Sequence, residues 1–163
     1  MPYDVVIPLP TSKGIYVLIL DVLKHIEVNL RSRRISLEPG IYCYVGSALG
    51  PGGIHARVKH HLNKDKGRLW WHIDYLTSIN DVVITYVVYA VIEANLEELV
   101  ALNFMKSNCW LPAAKGFGSS DRRSYTHLFK CLCGREVCLN EACEVVNTSV
   151  GGCNIVGLNP IHQ

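Results

Sequence analysis

At 163 residues the chain is long enough to bury one core and too short for two ordinary domains. Hydrophobic residues make up 49% and charged residues 18%, which excludes a disordered chain, and the formal net charge of +2 is too small to argue for nucleic acid by itself. No run of about 18 uncharged apolar residues is present, and residues 1–10 carry no basic leader before an apolar segment, so the expectation is a cytoplasmic protein with no membrane span.

After a proline-containing lead-in over residues 1–13, residues 14–21 (GIYVLILD) have the length and the Ile, Val and Tyr content of a strand. Residues 25–30 and 33–37 alternate apolar and polar side chains, the pattern of a hairpin or meander. Pro39 and Gly40 make a turn, and residues 41–46 (IYCYVG) form the next strand. The glycines and proline of residues 47–53 are loop chemistry. A helix follows over residues 54–63, with Ile54, Val58 and Leu62 on one stripe. Residues 70–76 read as a short helical or irregular apolar segment. Residues 82–92 form a β-branched strand and residues 93–106 a second helix. Pro112, Gly116 and Gly118 mark a loop, and residues 126–150 read as one or two small strands. This order gives an α+β fold, a small, mainly antiparallel β-sheet flanked by helices in a single domain.

Five of the seven cysteines (Cys131, Cys133, Cys138, Cys143, Cys153) crowd into a C-terminal extension, residues 131–163, expected to pack on the same domain. An odd count and no secretion signal read as free buried thiols rather than a disulfide framework. Their spacing lacks the paired knuckles of a zinc site, so zinc is set aside.

The chemistry concentrates earlier. Strand periodicity could turn Tyr16 and Tyr44 toward one site if their strands pair. Arg57 sits on the helix behind the glycine loop, with His61 one turn further along the same face. An arginine fork suits phosphate oxygens, and histidine moves protons near neutral pH. The second helix offers Glu93, Glu97 and Glu98 near its start, either as a helix-dipole match or as ligands for a hard cation.

These residues resemble the GIY-YIG nuclease superfamily, and within it a group of small, mostly archaeal stand-alone (DUF123-like) proteins. The matching stretches are GIYVLIL at residues 14–20, GIYCYVGSALGPGGIHARVKHHL at 40–62, WHIDYL at 71–76, FGSSD at 117–121 and HLF at 127–129. The nuclease-like domain would thus span residues 14–130. The resemblance implies a metal-dependent endonuclease that hydrolyses DNA phosphodiester bonds, structure-selective and serving repair or recombination. Tyr16 would activate the attacking water, Tyr44 would position phosphate or water, Arg57 would stabilise phosphate charge, and His61 would assist proton transfer. His72 would add a second histidine. Glu93, with Glu97 as the alternative, would hold one Mg²⁺ or Mn²⁺. These groups are expected to converge on one shallow surface. DNA is expected to lie along Lys59, Lys64, Lys66 and Arg68, with a protein partner for targeting, since the chain has little beyond the nuclease core.

The sequence also departs from that group. Arg122 and Ser124 stand where a cysteine pair is usual, and Thr126 replaces a serine. Gly118 and Asp121 suit a tight turn. The alternative function is a catalytically weak nucleic-acid-binding module on the same fold, and a blander one is a protein-interaction subunit.

Overall fold

The computed structural model describes residues 7–119 and 124–158, so the readings of Asp121 and Arg122 lie outside the described residues. The elements run β1 (Gly14–Val22), β2 (Ile26–Asn29), β3 (Arg34–Leu37), β4 (Gly40–Ala48), α1 (Gly53–Leu62), α2 (His72–Thr77), β5 (Val82–Val91), α3 (Glu97–Phe104), β6 (Trp110–Pro112), β7 (Leu128–Cys131), α4 (Arg135–Val150) and β8 (Asn154–Gly157). Six strands form one antiparallel sheet in the order β6-β7-β4-β1-β5-β8, and β2 and β3 form a separate hairpin.

β1 is almost continuously apolar because both of its faces are covered. On one face Tyr16, Leu18, Leu20 and Tyr44 pack with Ile54 and Val58 of α1, Ile73 and Leu76 of α2, and the hairpin residues Val28 and Leu37. On the other, Ile15, Val17, Ile19 and Val45 pack with Val100 and Phe104 of α3 and with Cys138, Ala142 and Val146 of α4. The expected α+β domain, with a mainly antiparallel sheet flanked by helices, is what forms.

Three local expectations are corrected. The segment read as small strands holds a single one, β7, followed by the 16-residue α4. Its buried Cys138, Ala142, Val145 and Val146 lie at helical spacing, but small and β-branched side chains make that stripe a weak helical signal. Gly134 and Gly151, both at positive φ, bound the helix. The helix expected to start at Glu93 starts at Glu97, leaving Glu93 exposed in the connection from β5. The cysteines of the last third are not free: Cys109–Cys133, Cys131–Cys138 and Cys143–Cys153 are disulfides, and the free cysteine is the buried Cys43. Folding brings their Cα atoms to 5.2, 6.0 and 5.6 Å, a proximity no spacing rule could supply.

β6 and β8 were not expected either. Both are sheet edges, where Pro112 is tolerated because no neighbour needs its missing N–H, and where the largely exposed Asn154–Gly157 pairs with β5 alone. No helix among the described residues is long and apolar enough to cross a membrane.

Candidate functional site

The register of β1 against β4 builds the site. Tyr16 lies opposite Gly46 and Leu18 opposite Tyr44, so the two tyrosines sit diagonally on the same sheet face. A Cβ at position 46 would stand 2.5 Å from the Tyr16 ring and its hydroxyl oxygen. Glycine at this position is therefore what lets the Tyr16 ring lie across β4.

α1 supplies the groups above the tyrosines. His61 is fully buried, and its Nε2 lies 2.8 Å from the Tyr16 hydroxyl oxygen. Its ring also meets that of Tyr44 edge-on, with centroids 6.4 Å apart. Burial pushes the Tyr16 hydroxyl up to about 12, against the charge and hydrogen bond of Arg57, so the phenol keeps its proton. Burial, then the charges of Arg57, His60 and Lys66, hold His61 well below the ordinary histidine value, so its ring is neutral. With the phenol protonated and the ring neutral, the Nδ1–H tautomer of His61 accepts the Tyr16 proton in this hydrogen bond at Nε2. Burial likewise raises Tyr44, assisted by Tyr16 and Glu97.

Arg57 also covers the Trp71 ring, its guanidinium carbon 4.0 Å from the ring centroid. From the far side of the sheet edge, α3 brings Glu97 close enough for its charge to act on both tyrosines. Glu97 and Glu98 flank His127, which the sequence reading left without a role. The ring is fully buried, with Nδ1 3.1 Å from Glu97 Oε1 and Nε2 3.1 Å from Glu98 Oε2. Burial works to raise the Glu98 carboxyl, but hydrogen bonds from Ser124 and His127 hold it below the usual range. A buried-prone histidine opening the apolar run HLF was the available signal for His127.

His72 takes a different place from the one expected. Its Nδ1 accepts the Gly118 N–H at 3.0 Å and its ring packs on Phe117, which in turn meets Tyr44 edge-on. It fastens the loop of residues 116–119 rather than contacting Tyr16. Gly118, at φ +72°, has a backbone conformation that disfavours other residues, and a Cβ would also crowd Tyr44 at 3.1 Å and His127 at 3.3 Å.

The basic set divides. Lys59 and Arg68 are exposed. Lys64 Nζ instead donates to the carbonyls of Thr77 and Ile79, and Lys66 Nζ to that of His61. Burial pushes both ammonium groups down to about 8. They stitch the end of α1 to the chain around it and have little left for a ligand.

Among the described residues, the buried side-chain polar atoms without a hydrogen-bond partner are Arg57 Nε, His61 Nδ1, Ser119 Oγ, Ser124 Oγ and His127 Nδ1. His127 Nδ1 is near Glu97 but not aligned for a bond. All five belong to this cluster or to its bounding loop, and such atoms are costly unless something fills their valences. No three His, Cys, Asp or Glu side chains among the described residues form a cage for a metal. The carboxylates of Glu97 and Glu98 are instead the kind of sparse, hard donor set that a cation uses when phosphate and water complete its shell.

The fold and this cluster define a class: a small α+β protein with a buried tyrosine–histidine pair joined to an arginine and bordered by carboxylates. Within that class the chain belongs to the family described as Domain of unknown function DUF123, whose model matches residues 15–149. No curated protein and no solved structure matches it.

Proposed function

We propose that this protein is a GIY-YIG-type endonuclease that hydrolyses DNA phosphodiester bonds with the help of one divalent cation. The observation that carries this reading is the union of Tyr16, His61, Tyr44, Arg57 and Glu97 around unfilled polar valences. Tyr16, Tyr44, Arg57 and His61 are the residues to which the resemblance assigns these roles, and Glu97 is the alternative to Glu93 for the cation.

The chemistry follows from the proton arrangement. Tyr16 is protonated, and with His61 in its Nδ1–H tautomer the phenol donates to Nε2, so its oxygen can accept the proton of an attacking water as its own passes to the ring. The Arg57 fork offers charge-assisted hydrogen bonds to phosphate oxygens as negative charge builds there. Tyr44 borders the same space and orients water or phosphate. Glu97, rather than the exposed Glu93, would hold Mg²⁺ or Mn²⁺. The cation would neutralise charge on the phosphate and the leaving oxygen. Both tyrosine rings are buried, not spread on a shallow surface, and the phosphate would have to approach them past Arg57.

Linear and branched DNA incubated with Mg²⁺ or Mn²⁺ tests the proposal. The parent protein should cut at least one substrate, and Arg57→Ala should lower the rate by about 10²-fold or more. Arg57→Lys keeps the charge but loses the planar fork and should lose most of the activity. Cleavage by either variant at the parent rate would show the mechanism to be wrong at its centre.

A further inference from the structure

The turn that enters α2 presents two large aromatic side chains to solvent: Trp70 is 56% exposed and Trp71 45% exposed. Indoles are usually mostly covered, so two adjacent exposed ones need a reason. The turn is well anchored. The carboxylate of the fully buried Asp74 accepts the backbone N–H groups of Trp70 at 2.9 Å and Trp71 at 3.0 Å. Its other oxygen lies 2.8 Å from His60 Nε2. The rings are thus held on a fixed backbone.

Each ring also carries an arginine. Arg68 lies over Trp70 with its guanidinium carbon 4.1 Å from the ring centroid, as Arg57 lies over Trp71. Lys59 is exposed on α1 nearby in sequence. An apolar protein partner covering these indoles would bury both guanidinium groups without a counter-charge, which is costly. A nucleic-acid strand meets both needs, with bases for the indoles and phosphates for the arginines. Bases inside a duplex are already stacked on both sides, so only an unpaired base can use the platform.

We propose that Trp70 and Trp71 form a stacking platform for the unpaired bases of a DNA strand, placed beside Arg57 so that the strand's phosphate enters the site. The substrate class is then DNA with a single-stranded segment at the cut, such as an overhang, flap or branch. The cut itself rests on the nuclease reading, whereas the platform is measurable by binding alone.

Fluorescence anisotropy in metal-free buffer separates the two. The probes are an oligothymidylate, a blunt duplex and the same duplex with a single-stranded overhang. Trp70→Ala should weaken binding of the oligothymidylate and the overhang by about tenfold, the loss expected of one stacked base, and leave the blunt duplex unchanged. Trp70→Phe should keep most of the affinity, and unchanged circular dichroism should confirm folding. The platform is refuted if Trp70→Ala holds the overhang as tightly as the parent does, or loses blunt duplex by the same factor. A protein that binds unpaired DNA through Trp70 yet cuts nothing would sink the nuclease reading alone. One that cuts but is indifferent to Trp70 would sink the platform alone.

Discussion

His61 is the residue on which the proposed proton transfer and stability meet. It is neutral in the fold because burial, and then the neighbouring Arg57, His60 and Lys66, oppose its charge. In the unfolded chain it protonates below about pH 6.5. Below that pH the unfolded state binds the extra proton and the folded state does not, so stability falls as the pH drops. Denaturation midpoints measured from pH 7.5 down to about 5, above the carboxylate range, should show this decline. His61→Asn should flatten it. An equally steep decline in that variant would assign the effect to another group. The same neutrality keeps His61 able to accept from Tyr16 throughout the neutral range, so cleavage should not lose rate between about pH 8 and 6.5 as it would with an ordinary histidine.

At the scale of elements, α2 depends on one carboxylate. Asp74 sits in its first turn, fully buried, and ties the Trp70–Trp71 backbone to the helix and the helix to His60 of α1. Removing it leaves two N–H groups and a histidine without their acceptor. Asp74→Ala should cost about 2 kcal/mol in urea denaturation. A change below about 0.5 kcal/mol would mean that water replaces the carboxylate at little cost. α3 has a comparable dual character. Its first two residues, Glu97 and Glu98, suit the positive end of the helix and at the same time grip the buried His127 of the strand-end segment leading into β7. Dipole matching and site building are here the work of the same side chains.

Across the whole molecule, three disulfides fasten the C-terminal third, where the sheet ends in its edge strands. Cys109–Cys133 closes the longest loop, with a sequence separation of 24, against 10 for Cys143–Cys153 and 7 for Cys131–Cys138. On loop-closure entropy the first contributes about 3.4 kcal/mol and the last about 2.4 kcal/mol. Melting with and without a thiol reductant should therefore give a clearly lower midpoint when reduced. Cys109→Ser should account for more of the loss than Cys143→Ser. Coincident melting curves would mean that the bridges add nothing to stability.

Local pattern alone determined the α+β class, the two central strands, the hairpin, α1 and the placing of Arg57 and His61 on one face of that helix. Each is written in nearby residues: β-branched runs, alternation, glycine punctuation, or an i, i+4 step along one helix. What tertiary structure decided depends on distance along the chain. Gly46 is glycine because Tyr16, thirty residues earlier on the paired strand, lies across it. His127 joins the site because β7 pairs with β4 and sets the histidine between two glutamates of α3. Glu97 rather than Glu93 opens α3 because the chain leaving β5 bends through residues 93–94 before the helix begins. Lys64 and Lys66 look like phosphate ligands in sequence, yet their ammonium groups turn inward to carbonyls that only the folded chain brings near. The cysteines pair for the same reason. A sequence records which groups are present, but burial and partners are properties of the packed chain, and these decide what each group can do.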